Sequence, residues 1–166
     1  MRKASVLFAI IVIVTSWCAR GADDRPAFPE LTLTSLDGQT QRVADYRGTV
    51  TVVNFWATWC GPCRMELPEL QKIYNDLAGK GFVVAAVNVE GPSAPVRPFM
   101  QRMNLSLPVF FVTQEDQRNL GISSIPFTVL LDRQGRVVRV YPGFSKAGML
   151  DLRDEVGKLL GESAKK

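Results

Sequence analysis

The chain has 166 residues, 46% of them hydrophobic, which suggests one domain rather than two. It contains no histidine, which excludes Ser–His and Cys–His nucleophilic catalysis and every metal site with a histidine ligand. The formal charge is +4, but residues 1–21 hold three basic side chains and no acid, so the remainder has 17 basic and 16 acidic side chains. That near-neutral remainder argues against a nucleic-acid partner.

The first 21 residues predict an export signal. Two basic residues precede an uncharged apolar stretch over residues 4–19, which is short for a membrane-spanning helix but suits a secretory signal. Cleavage is expected after Gly21. An uncleaved anchor and a lipid on Cys18 are the alternatives, although the tryptophan before that cysteine disfavours lipidation. The sequence therefore predicts a periplasmic or otherwise extracytoplasmic protein that touches a membrane only through its N-terminus.

Beyond the signal, a polar, proline-containing lead-in over residues 22–27 is predicted to be mobile, and a single domain is predicted over residues 28–162. Residues 31–43 alternate apolar and polar side chains about Asp37-Gly38, a dipeptide favoured in tight turns, which predicts a β-hairpin. Residues 50–57 form a continuous apolar, β-branched run, as is typical of a strand buried on both faces.

The remaining elements alternate between strand and helix patterns. Pro98 is expected to interrupt the second predicted helix. This order predicts an α/β fold with a central mixed sheet, helices on both faces and an N-terminal hairpin extension. The predicted helices cover residues 63–77, 93–104 and 146–160, and the predicted strands cover residues 82–89, 107–112, 125–132 and 136–143.

Two of the three cysteines, Cys60 and Cys63, lie where the buried strand gives way to a helix. Residues three apart at a helix start are close enough to form a disulfide. The unpaired N–H groups and the dipole of the helix stabilise a thiolate at Cys60, so we expect its pKa to fall below the ordinary cysteine range. Cys60 is then the attacking sulfur, and the deeper Cys63 is the resolving thiol. The spacing predicts a redox-active disulfide.

Two other uses of the cysteine pair are open from the residues alone. A permanent structural disulfide would close a loop of only four residues, so it would restrict the unfolded chain very little. A zinc site needs about four ligands, and the mature chain offers one cysteine pair and no histidine. We therefore predict no metal and no bound cofactor. Trp59, just before the pair, is either a flat wall facing the substrate or an ordinary packed aromatic residue.

The motif "WCGPC" after a buried strand, with "SIPFTVLLD" about sixty residues later, resembles the thioredoxin superfamily. The fuller pattern from "FPELTLTSLDGQ" through "NFWATWCGPCRMELPEL" to "GISSIPFTVLLDRQGRVV" is similar to its exported TlpA/ResA branch, an AhpC/TSA-redoxin-like group that includes reductases of cytochrome c maturation. The likeness covers about residues 28–160. It implies a thioredoxin-like fold, with Cys60 as the nucleophile and Cys63 as the resolving cysteine.

The same resemblance implies three further site residues. Pro126 matches the cis-proline that lies beside the cysteine pair in the family, and Ile125 before it is expected to offer its backbone to an extended substrate. Without the resemblance, Pro126 reads as a trans proline starting an edge strand. Glu66 matches an acidic residue near the thiols, where it is expected to take and return the proton of Cys63. The alternative for Glu66 is a solvated side chain in the first helical turn.

One departure from cytoplasmic thioredoxins strengthens the expectation for Glu66. Those proteins carry a buried aspartate six residues before the first cysteine, where this chain has Asn54, and an amide cannot shuttle a proton. Glu90 is a further acid that could approach the site, although a glutamate in a loop is usually solvated.

The function expected from these residues is reduction of protein disulfides in the cell envelope by thiol–disulfide exchange. The expected partners are a disulfide-containing client, with apocytochrome c as one candidate, and a membrane dithiol that supplies electrons. Two other functions stay open. A peroxiredoxin-like peroxidase shares the opening pattern but uses a lone peroxidatic cysteine after a threonine-bearing loop, and a thiolate Cu(I) carrier would exploit the soft paired sulfurs.

Overall fold

The computed structural model describes residues 24–161, which form one mixed β-sheet with helices packed against it. Its strands are β1 Thr32–Ser35, β2 Thr40–Arg42, β3 Val50–Trp56, β4 Phe82–Asn88, β5 Val109–Phe111, β6 Phe127–Leu131 and β7 Val137–Pro142. Its helices are α1 Gly61–Leu77, α2 Val96–Arg102, α3 Gln114–Asn119 and α4 Lys146–Gly161, with a 3₁₀ turn at Val43–Tyr46.

The seven strands lie in the order β2-β1-β5-β4-β3-β6-β7. The central strand β3 runs parallel to β4 and antiparallel to β6, while β1 and β2 form the predicted hairpin and extend the sheet through β5. Every residue of β3 is buried, in keeping with its mostly apolar pattern, and the polar Thr51 and Asn54 are buried with the rest. The predicted thioredoxin-like α/β fold with a mixed sheet is confirmed.

The two faces of the sheet are covered unequally. The longer helices α1 and α4, together with α2, bury their apolar stripes against one face. The other face is covered by the 3₁₀ turn, by the segment around α3 and by residues near Phe28. Helices therefore flank both faces as predicted, but the long ones all share one side.

Strand register brings the two halves of the site together. Phe55 in β3 lies directly opposite Phe127 in β6, and the two strands are antiparallel. The chain therefore leaves β3 toward Cys60 at the same edge of the sheet where it enters β6 from Pro126. Cys60 and Pro126 become neighbours for this reason, although they lie 66 positions apart in the sequence.

Two helices differ from the sequence prediction. Pro98 does not interrupt α2, because it falls in the first turn of Val96–Arg102, where backbone N–H groups need no helical partner. Helix α3 was not expected, since none of its residues is buried and it shows no apolar period. A capping box between Thr113 and Asp116 stabilises its start instead.

The described part of the lead-in contacts the turn between β6 and β7. Arg25 pairs with Asp132 at 3.3 Å, the carbonyl of Pro26 accepts from Val137 N–H at 2.8 Å, and Ala27 bridges to Arg136. The mobility of residues 22–27 stays a prediction. The export signal and Cys18 lie outside the described residues. Within residues 24–161, no helix has the length and apolarity needed to cross a bilayer.

Candidate active site

The cysteine pair lies at the start of α1. Cys60 is the N-cap residue, and its backbone leads into a helix with Pro62 in the first turn, where no N–H is required. A disulfide joins Cys60 to Cys63, with the two Cα atoms 5.2 Å apart. The Cys63 N–H donates to Cys60 Sγ at 3.2 Å. Since Cys60 is 4% exposed and Cys63 is fully buried, Cys60 is the sulfur that a partner can reach first.

The loop before β6 lies beside this disulfide. The Ile125–Pro126 peptide is cis, and the carbonyl oxygen of Ile125 lies 3.8 Å from Cys60 Sγ. Pro126 is buried, whereas Ile125 is half-buried. The structure thus brings Ile125 and Pro126 beside Cys60, and the trans-proline alternative is wrong.

Trp59 stands on the solvent side of the same site. Its side chain is 67% exposed, so the alternative of an ordinary packed aromatic is wrong as well. The indole adjoins a groove that also contacts Ile125.

Glu66 lies on α1 one turn beyond Cys63 and is buried rather than solvated. One carboxylate oxygen accepts from Asn54 Nδ2 and the other from Thr128 Oγ1, both at 2.9 Å. Asn54 Nδ2 also donates to Thr128 Oγ1 at 2.7 Å. These two partners lie opposite each other in the β3–β6 register, so the sheet presents both to the helix.

Burial raises the pKa of Glu66 from 4.5 to about 7, and the hydrogen bonds donated by Thr128 and Asn54 oppose part of that shift. The carboxyl group therefore exchanges its proton near neutral pH, where a general acid–base group works best. Within the described residues, Asn54 Oδ1 is buried without a hydrogen-bond partner. When the Asn54 amide turns over, its Oδ1 replaces Nδ2 beside Glu66 and can accept a hydrogen bond from the protonated carboxyl group.

The sequence predicted neither a role for Thr128 nor a hydrogen-bond partner for Asn54. The available signal was Asn54 itself, because a polar side chain in a strand buried on both faces requires hydrogen-bond partners. Its partners, Glu66 and Thr128, are 12 and 74 residues away, so only the strand register identifies them.

Thr58 fixes the loop that enters the cysteine pair. Its N–H and its hydroxyl both donate to the carboxylate of Glu90, the hydroxyl at 2.9 Å. Its carbonyl accepts two hydrogen bonds from the Arg64 guanidinium, at 3.1 and 3.0 Å. Asn88 Nδ2 donates to Glu90 at 3.1 Å. The structure thus gives Glu90 a different place from Glu66: it braces the loop before Cys60.

Replacing Glu90 with glutamine is expected to loosen that brace. The substitution Glu90→Gln replaces one carboxylate oxygen with an NH₂ group. That group then faces the donors of Thr58 and Asn88 and cannot accept their hydrogen bonds. We expect the free energy of unfolding to fall by about 1–2 kcal/mol, measured by urea denaturation. Glu115→Gln, on the exposed surface of α3, is the matched control and should change stability by less than about 0.5 kcal/mol. Equal free energies of unfolding for the two variants would contradict the conclusion that Glu90 holds the loop before Cys60.

A thioredoxin-like sheet that carries a Cys-Gly-Pro-Cys disulfide at a helix start, beside a cis-proline, defines a thiol-disulfide oxidoreductase. Comparison with known proteins agrees with that class. Residues 25–156 match the AhpC/TSA family. The chain belongs to this family.

Individual relatives carry matching names. The thiol-disulfide oxidoreductase ResA of Geobacillus thermodenitrificans is 35% identical over 116 residues, which cover 69% of this chain and 67% of that protein. The thioredoxin-like protein YneN of Bacillus subtilis is 29% identical over 150 residues, covering 84% and 88%. A solved thiol:disulfide interchange protein of the thioredoxin family from Chlorobium tepidum TLS gives a TM-score of 0.71 at 29% identity, covering 84% of this chain and 99% of that one.

Proposed function

We propose that this thiol-disulfide oxidoreductase works as a reductase of protein disulfides in the cell envelope. The observation that carries the proposal is the position of Cys60 Sγ, at the start of α1 and 3.8 Å from the Ile125 carbonyl, with Cys63 directly behind it. A helix start favours a thiolate, and the adjoining loop offers a place for a client backbone.

The proposed reaction is one round of thiol–disulfide exchange. The Cys60 thiolate forms a bond to one sulfur of the client disulfide, and the other client sulfur leaves as a thiolate. Cys63 then loses its proton, forms the bond to Cys60 and releases the second client sulfur. Two electrons pass to the client, whose two sulfurs take up two protons. A dithiol donor returns the protein to its reduced form by the same chemistry.

Glu66 is proposed to move the proton of Cys63. It follows Cys63 by one helical turn, and its pKa of about 7 lets the carboxylate accept a proton and later return it. Asn54 and Thr128 hold the carboxylate in place through the hydrogen bonds already described. Ile125 and Pro126 are proposed to contact the client backbone, and Trp59 to contact its side chains.

The direction and the cellular partners belong to the same proposal. Gly-Pro between the cysteines is the pair found in reducing thioredoxins, so we propose that electrons flow from a membrane dithiol through this protein to an exported client. The apolar stretch at residues 4–19 supports an extracytoplasmic location. A cytochrome c precursor, whose haem-attachment cysteines can form a disulfide, is the client proposed from the resemblance to the ResA branch.

Equilibration with glutathione tests the direction. We expect the reduced protein to reduce insulin and to have a reduction potential below that of the glutathione couple, near the roughly −270 mV of thioredoxin. A potential near the roughly −120 mV of a strong oxidant such as DsbA would overturn the reductase assignment. The same preparation decides between the alternatives: rapid peroxide consumption would select a peroxidase, and stoichiometric Cu(I) uptake without insulin reduction would select a copper carrier.

A further inference from the structure

Arg64 lies one helical turn beyond Cys60. It is exposed, and its backbone N–H donates to the Cys60 carbonyl at 3.2 Å. Side chains of a helix lean toward its N-terminus, so the Arg64 side chain extends back over the turn that carries Cys60. Its guanidinium donates two hydrogen bonds to the carbonyl oxygen of Thr58, at 3.1 and 3.0 Å. A positive charge is therefore held against the loop that leads into the attacking cysteine.

This charge is close enough to Cys60 to affect its ionisation. The guanidinium contacts Thr58, which is two residues before Cys60, so the Cα atoms of those two residues are at most about 7 Å apart. Position 64 itself lies about 6 Å beyond position 60 along the helix axis. Since the Debye length is about 10 Å at 0.1 M salt, dissolved ions screen an interaction over such separations only in part.

The acids near Cys60 do not neutralise Arg64. Within residues 24–161, Arg64 forms no salt bridge. Glu66 is buried in its own hydrogen-bonded cluster, and Glu90 is bound to the other side of the loop before Cys60. The loop that contacts Cys60 Sγ, residues 122–126, has no ionisable side chain.

The other basic residues of α1 and α4 near this end of the sheet belong to a different surface. Lys72 pairs with Glu69 at 2.8 Å, and Lys146 and Arg153 line a groove between the two helices together with them. Lys72 is also about 12 Å farther than Arg64 along the axis of α1. Arg64 is the basic side chain that hydrogen bonds tie to the loop before the cysteine pair.

We propose that Arg64 is a positioning residue of the exchange reaction, which fixes the Thr58 carbonyl and stabilises the Cys60 thiolate with its charge. The inference rests on the proposed function, in which Cys60 is the attacking sulfur. It deepens that function by adding a second source of thiolate stabilisation to the helix start. Glu90 holds the N–H of Thr58 with the opposite charge, so the two residues that clamp Thr58 act on Cys60 with opposite signs.

The test is alkylation of Cys60 by uncharged iodoacetamide in the reduced protein, followed across pH with mass-spectrometric assignment of the labelled site. At low ionic strength we expect the midpoint of the profile to rise by about 0.5 pH unit in Arg64→Gln and by about twice as much in Arg64→Glu. Arg64→Lys keeps the charge and should recover most of the shift. Lys72→Gln removes the same charge from a more distant turn of α1 and should leave the midpoint unchanged, and 1 M salt should shrink every shift.

Glu90→Gln separates the effect of charge from that of loop geometry. Both Glu90→Gln and Arg64→Gln loosen the clamp on Thr58, but they remove opposite charges, so we expect the midpoint to fall in Glu90→Gln. Shifts in the same direction in both variants, or an unchanged midpoint in Arg64→Gln and Arg64→Glu, would overturn the inference and leave the proposed function standing. If the unsubstituted protein failed to reduce insulin and its Cys60 ionised like free cysteine, the proposed function would be overturned, and the inference with it.

Discussion

Replacing Cys60 with serine is expected to abolish disulfide reduction, lowering the rate by more than about 10³-fold. A serine hydroxyl is not ionised at neutral pH, and the remaining Cys63 is fully buried behind position 60. The measurement is insulin reduction by the purified variant. Retention of more than a few per cent of the rate would show that Cys60 is not the attacking sulfur.

Cys63→Ser is the matched variant, because it leaves the attacking thiol in place. Cys60 should still capture a client, but the mixed disulfide cannot be resolved and should accumulate. Non-reducing electrophoresis of the variant isolated from cells that produce it, followed by mass spectrometry, would identify the trapped client. Finding linked clients on Cys60→Ser instead would reverse the assigned roles of the two cysteines.

Glu66→Gln is expected to make the oxidised protein more stable at pH 8 while slowing its reaction. The folded pKa of Glu66 is about 7 and the ordinary value is 4.5, so between these pH values the folded state binds more protons than the unfolded state. The contribution of Glu66 to the free energy of unfolding is therefore fully present below about pH 4.5 and is lost as the pH rises to about 7. The glutamine variant avoids this loss, which is at most about 3 kcal/mol.

Glutamine at position 66 is accommodated by turning over the Asn54 amide, because Asn54 Nδ2 donates to the carboxylate of Glu66. The carbonyl oxygen of the glutamine can accept from Thr128, and its amide can donate to Asn54 Oδ1 once the Asn54 amide has turned over to bring that unpartnered oxygen toward position 66. Urea denaturation of Glu66→Gln and of the unsubstituted protein should be measured at pH 4, 6 and 8. The gap between them, meaning the difference in their free energies of unfolding, should widen as the pH rises. Glu69→Gln, on the partly exposed side of the same helix, is the control and should show a constant gap. A constant gap for Glu66→Gln would contradict the buried, proton-exchanging carboxyl.

The same substitution should lower the rate of disulfide reduction by about 10²-fold, because an amide cannot accept the proton of Cys63. A variant that is both more stable and slower distinguishes a proton-transfer role from a purely structural one, since a structural glutamate would lose stability when replaced. An unchanged rate would remove Glu66 from the mechanism. Insulin reduction measured across pH 5–9 provides the comparison.

The sequence predicted the elements that obey strong local rules. The mostly apolar, β-branched run of β3 and the helical stripe of α1 both appear close to their expected bounds. The turn at Asp37-Gly38 forms as expected, with Gly38 at a φ of +79° that favours glycine. The position of Cys60 at a helix start followed from these elements alone.

Other features depend on distant partners and could not be read from local patterns. The burial of Glu66 requires Asn54 and Thr128 to face it across two strands, and the chain order does not reveal that register. The brace on Thr58 joins residues 32 positions apart. Helix α3 has no apolar stripe to predict it. The burial of Glu66 and the brace on Thr58 depend on tertiary packing, whereas α3 starts at a local capping box.

Ionisation of the two thiols in the reduced protein tests the central claim most directly. Alkylation rates of Cys60 and Cys63, measured across pH with mass-spectrometric assignment of the labelled site, report the thiolate fraction of each. We expect the pKa of Cys60 to lie well below the ordinary cysteine range and that of Cys63 above it, because only Cys60 caps the helix. Two thiols that ionise together, like free cysteine, would contradict it.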